Sequence, residues 1–82
     1  MNSILLDTHA LIWFWEDSPK LKSKAKDVIR KATAILIPTI VLAETFAIID
    51  KNQSKLKIEE IWKILHQDRR IRIIQQKEIF KN

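Results

Sequence analysis

The stretch Ile4-Leu5-Leu6-Asp7-Thr8-His9-Ala10-Leu11-Ile12-Trp13 decides how this chain is read. Its opening is a short apolar run, and Ser3 to Leu6 reads as a buried strand. The apolar character then continues beyond strand length without β-branched enrichment, so Thr8 to about Trp15 reads as a helix. A strand that turns straight into a helix leaves one acid, Asp7, at the carboxyl edge of a sheet, where open α/β folds place their sites. Position alone leaves two uses for that carboxylate. It is a helix N-cap accepting backbone N–H bonds, or it is the first member of a polar site.

Outward from this stretch, the same grammar recurs. Glu16-Asp17 closes the first helix, and Ser18-Pro19 predicts the start of a second, with serine as N-cap and proline at the first helical position. That helix runs to about Lys31 and carries Leu21, Ala25, Val28, Ile29 and Ala32 on one stripe, with lysines and Arg30 over the remainder as a solvated basic face. Thr33 to Ile37 reads as a second buried strand stopped by Pro38, after which Thr39 caps a third helix to about Lys51. A polar linker, Asn52 to Lys57, precedes a fourth helix with Ile58, Ile61, Trp62 and Leu65 on its apolar stripe. Arg69-Arg70 then leads into a third strand, Ile71 to Ile74, and a further helix begins before Asn82. Strands separated by helices predict right-handed crossovers and a parallel sheet. Residues 1–82 form one small domain on this reading.

Composition removes several function classes. The chain of 82 residues has no cysteine, which excludes disulfide scaffolds, thiol catalysis and thiolate metal sites and suits a reducing cytoplasm. It also has no glycine, where average usage of about 7% would supply roughly six. Phosphate-cradling P-loops and dinucleotide fingerprints depend on glycine and are excluded. A net charge of +5 favours polyanionic partners, although excess lysine is equally a solubility device. The apolar runs Ala10 to Trp15 and Ala34 to Ile37 are too short to span a bilayer, and the N-terminus lacks a secretory pattern. The expectation is a cytoplasmic protein with no membrane association.

Glu44 is the second informative acid. It lies in the second turn of the third helix and is the lone charge among Ile40 to Ala43 and Thr45 to Ile49, where a carboxylate is costly unless exposed or partnered. If the first two strands are parallel neighbours, Asp7 and Glu44 overhang the same sheet edge. Hard oxygen donors at such a place suit Mg²⁺ or Mn²⁺. Thr8 is placed to orient Asp7 or to bind a metal-bound water. His9 reads as a packing or hydrogen-bonding residue and His66 as solvated. Trp13, Phe14 and Trp15 make the first helix apolar nearly all round, and Trp15 is a candidate for an interface.

These residues carry a resemblance. Ile4 to Trp13 resembles the opening of PIN domains, specifically the VapC-like toxins of bacterial toxin–antitoxin systems. Ser18-Pro19-Lys20-Leu21 is similar to the family's second-helix start, Ile35 to Ile40 to its second strand and turn, and Ala43-Glu44 to its second acidic position. Ile61-Trp62 through Ile74 resembles the segment leading into its third strand.

The resemblance implies a three-layer α/β fold with a short parallel sheet of three strands and about four to five helices. It also implies a Mg²⁺- or Mn²⁺-dependent endoribonuclease in which Asp7 and Glu44 are catalytic and metal-binding and Thr8 supports them. The family continues with a fourth strand and further acidic positions, which neither Asp68 nor Glu78 matches, so the expectation is a C-terminally truncated domain. Its acidic site needs a partner for completion, or it is a non-catalytic PIN-derived module that binds an antitoxin, RNA or itself. The family's sheet flanks strand one on both sides. Leaving one side open makes it an apolar edge that invites a homo-oligomer, through that edge or through the first helix.

Overall fold

The computed structural model describes residues 2–75. Four helices and three strands alternate in the order β1 (Ser3–Leu5), α1 (Thr8–Trp15), α2 (Ser23–Lys31), β2 (Ala34–Pro38), α3 (Thr39–Asp50), α4 (Ile58–Gln67) and β3 (Ile71–Ile74). The sheet is wholly parallel, in the order β1-β2-β3, with Ile4 opposite Ile35 and Ile37 opposite Ile73. The expected helix beyond β3 and Glu78 lie outside the described residues. Among those residues no helix is long and apolar enough to cross a membrane.

Burial explains the order of elements. Ile35 and Ile37 of the central strand sink into a core with Leu6, Leu11, Ile29, Ala32 and Val41, which joins α1, α2 and α3 to the sheet. A second cluster of Ile12, Ile49, Leu56 and Ile61 fills the space between α1, α3 and α4. Helix α1 therefore has apolar neighbours on more than one side, the physical reason for its nearly continuous hydrophobicity. Trp15 is half-buried against both clusters. On α4, by contrast, Ile61 is fully buried while Trp62 is 51% exposed, so the apolar stripe expected there is only partly covered.

Two helix starts differ from the sequence expectation. Helix α2 begins at Ser23 rather than at Pro19: the Ser18 hydroxyl accepts the Lys20 N–H as an N-cap would, but the Leu21 N–H donates to the Ser18 carbonyl in an isolated turn and the backbone is extended at Lys22 before the helix starts. Thr39 is the first residue of α3 rather than its cap, and its hydroxyl donates to the Ile74 carbonyl at the end of β3. Both hydroxyls bond to backbone, Ser18 to its near neighbour Lys20 and Thr39 to the distant Ile74, a partner that sequence spacing does not suggest.

Two helix ends meet the lack of glycine directly. After α1, Asp17 adopts φ 53°, its N–H donates to Phe14 and the Ser18 N–H donates to Trp13. After α3, Asn52 adopts φ 58°, its N–H donates to Ile49 and the Gln53 N–H donates to Ile48. Each is a Schellman closure with Asp or Asn in the left-handed position usually held by glycine. The first turns the chain toward α2; the second delivers the linker whose Ser54 hydroxyl and Lys55 N–H donate to the Glu16 carboxylate.

Candidate active site

Parallel strands give the sheet one carboxyl edge, and the two informative acids stand over it. Asp7 follows β1 and caps α1, its Oδ1 accepting the Ala10 N–H at 2.8 Å. Glu44 projects from α3, which follows β2 without a loop. The Thr8 hydroxyl donates to Glu44 Oε1 at 2.9 Å, joining the first residue of α1 to the second turn of α3. Thr8 is buried, whereas both carboxylates are exposed. All three line one cavity of about 430 Å³, with His9, Ala47 and Ile48.

The two uses left open for Asp7 are thus compatible. One carboxylate oxygen caps the helix, and no hydrogen bond among the described residues engages the other. Glu44 has the same arrangement, with Oε1 held by Thr8 and Oε2 engaged by no hydrogen bond among the described residues. Its place on an apolar helix costs little, because its head is exposed and hydrogen-bonded. Thr8 orients Glu44, not Asp7 as the sequence position also allowed.

Asp68 belongs elsewhere. It precedes β3, at the amino edge of the sheet, and its carboxylate is taken by Arg70 at 3.0 Å. Those bonds hold the Asp68 carboxyl below its ordinary range and raise the Arg70 guanidinium above its own. Arg70 also donates to the carbonyls of Ile29, Arg30 and Ala32, closing the end of α2 onto the start of β3. This is a structural joint. Among the described residues no group of three or more His, Cys, Asp or Glu side chains gathers around one point.

His9, read from sequence as a packing or hydrogen-bonding residue, is exposed and lines the cavity. Its ring centroid stands 5.8 Å from that of Trp13, at an interplanar angle of 50°. His9 and Trp13 are four residues apart on one helical face, as are Glu44 and Ile48, but that spacing does not show which face the cavity takes. His66 is exposed, as expected, with Nδ1 2.7 Å from the Trp62 carbonyl oxygen.

A small parallel α/β domain with oxygen donors above its carboxyl edge is the class of protein that fold and site define. The family model of the PIN domain matches residues 4–81, and the chain belongs to the PIN domain family. No curated protein matches the chain, and no solved structure does. PIN domains are generally metal-dependent nucleases. The donor set here fits such a metal chemically. Two exposed carboxylates, each with an oxygen that no hydrogen bond among the described residues engages, line one cavity, and hard oxygens suit hard divalent cations.

Proposed function

We propose that this chain is a VapC-like PIN endoribonuclease, the toxin of a bacterial toxin–antitoxin pair, working in the cytoplasm with Mg²⁺ or Mn²⁺ at Asp7 and Glu44. The observation that carries the reading is the bond from Thr8 to Glu44, which ties the third helix's lone acid to the cavity that Asp7 also lines. A divalent ion held by Asp7 and Glu44 would supply positive charge against the scissile phosphate and lower the pKa of a bound water.

The chain's own residues do the positioning. The helix-capping bond fixes the Asp7 carboxylate at the cavity mouth, and the buried Thr8 holds Glu44 in one rotamer. Two carboxylates alone leave a hard cation largely water-bound and loosely held. A partner or second copy that adds acidic ligands at this cavity would tighten the hold, which makes assembly a determinant of activity on this reading. The net charge of +5 favours approach of an RNA polyanion.

A second reading is a non-catalytic PIN-derived module that binds an antitoxin, RNA or itself. It is favoured by the outer edge of β1, which no strand covers among the described residues and where Leu5 is 52% exposed. Cleavage of single-stranded RNA in Mg²⁺ or Mn²⁺ separates the two. The enzyme reading expects cleavage that is lost in both Asp7→Asn and Glu44→Gln and in excess chelator. Cleavage unaltered by either substitution, or no cleavage by the assembled wild-type protein, refutes it.

A further inference from the structure

The outer flank of β1 carries a different chemistry from the carboxyl edge. Parallel pairing uses alternate residues of a strand. The Asn2 carbonyl accepts the Ala34 N–H and the Leu6 N–H donates to Leu36, so Ser3 and Leu5 turn their own N–H and C=O groups outward, where no strand meets them among the described residues. Beside that edge lies a hollow of about 570 Å³, walled by Ser3 and Ile4 on one side and by Lys24, Asp27, Val28 and Lys31 of α2 on the other. It shares no residue with the cavity of Asp7 and Glu44.

Helical spacing orders the α2 wall. Lys24, Val28 and Lys31 fall on one side of the helix, the two lysines two turns and about 10.5 Å apart with Val28 between them. A strand laid along β1 returns to the same face every second residue, so its positions i, i+2 and i+4 span about 13 Å. An acid, an apolar residue and an acid at those positions set the middle side chain on Val28 and the outer two within reach of the long lysines. The residues between them fall on the other face of the sheet, beside the exposed Leu5, which alternates away from the packed Ile4.

Charge decides the occupant. Neither lysine pairs with a carboxylate among the described residues, and Asp27, the one acid of the wall, stands 4.0 Å from Arg30. A second copy would offer Asn2 to Leu5, which hold no acid, and would bring its own Lys24 and Lys31 to the same seam. A nucleic acid would meet the lysines but leave Val28 and the outward backbone groups unmatched. We propose that this flank of β1 docks an extended acidic segment of a partner protein, which adds to the sheet as a further strand. Backbone bonds to Ser3 and Leu5 supply the hold, while Lys24, Val28 and Lys31 select its acid–apolar–acid face. The self-pairing open to this edge gives way to such a segment, because an opposite charge replaces a like-charged seam. The proposal is independent of the nuclease reading.

The test uses the whole chain and a capped, fluorescein-labelled peptide, Ser-Glu-Val-Val-Thr-Glu-Ser, followed by fluorescence anisotropy. Lys24→Ala and Lys31→Ala are each expected to weaken binding about threefold, and the peptide with lysine for both glutamates binds about tenfold more weakly or worse. Two further peptides are N-methylated at alternate residues. A strand pairs through one of its edges at a time, so one of these is expected to lose binding and the other to keep it. Light scattering at saturating peptide is expected to find one chain per particle. Both lysines are exposed, so far-UV circular dichroism of the variants stays that of the wild type. Absent binding, wild-type affinity in the doubly substituted protein, or the same behaviour from both methylated peptides overturns the proposal. So does displacement of the peptide by a short oligoribonucleotide, or a particle of two chains at saturation, the mark of a second copy on the edge.

Discussion

Asp7 performs two tasks with one side chain, and substitution can separate them. Asparagine keeps an oxygen able to accept the Ala10 N–H, and it caps helices as well as aspartate does. Asp7→Asn is therefore expected to hold stability to within about 0.5 kcal/mol, whereas Asp7→Ala loses about 1 kcal/mol with the cap. Chemical denaturation of the three proteins checks this. If both variants are equally destabilised, the cap is not what holds Asp7 in place. At the same scale, Thr8 shows why sequence spacing stops short of a site. Its neighbour in the chain is Asp7, but its hydroxyl reaches Glu44 across thirty-six positions, a pairing that only the docking of α1 on α3 creates.

Among the elements, the helix ends carry the clearest consequences. Asn52 sits at φ 58°, a conformation that glycine adopts without the clash of a Cβ. Asn52→Gly is expected to raise stability by roughly 0.5–1 kcal/mol, read as a higher melting temperature, and a lower one would contradict the strain argument. The joint between α2 and β3 predicts a pH dependence. The Asp68 carboxyl is held below its ordinary value, chiefly by hydrogen bonding from Arg70. Its contribution to stability is thus complete above the unfolded value near 3.9 and is lost as pH falls through the lower folded value. Urea unfolding between about pH 2 and pH 5 is expected to show this loss in the wild type and a flatter dependence in Asp68→Asn. An unchanged acid slope in that variant would place the titration elsewhere.

Periodicity and turn chemistry made most of this architecture legible: β1, α1, α3, α4 and β3 lie within a residue or two of their expected bounds. The start of α2 was not legible, because Ser18-Pro19 is as good a turn as a helix start and the Lys20 bond is common to both; the extended backbone at Lys22, which separates the turn from the helix, decides between them. Asp7 and Glu44 stood out as acids in apolar surroundings. His9 did not, since an exposed aromatic ring on a mostly buried helix has no pattern of its own until the neighbouring helix is in place.

At the scale of the molecule, a domain this small hides only about 60% of the surface its unfolded chain exposes, so uncovered apolar surface weighs heavily. Among the described residues strand β1 is an edge, Leu5 on it is 52% exposed, and the exposed Val28 belongs to α2, whose Lys24, Asp27 and Lys31 line a hollow with β1. Self-association through that edge is the expected result of size-exclusion chromatography with light scattering, and Leu5→Lys is expected to return the monomer. A wild type that stays monomeric at high concentration contradicts it. The fold brings the ends of β1 and β2 together so that two distant acids share one cavity, and the central claim is that they share a cation. Titrating Mn²⁺ into the protein while following the paramagnetic resonance of the free ion tests this most directly. The account predicts weak binding that disappears in both Asp7→Asn and Glu44→Gln. Binding that persists unchanged in the two variants, or no binding by the wild type, would contradict it.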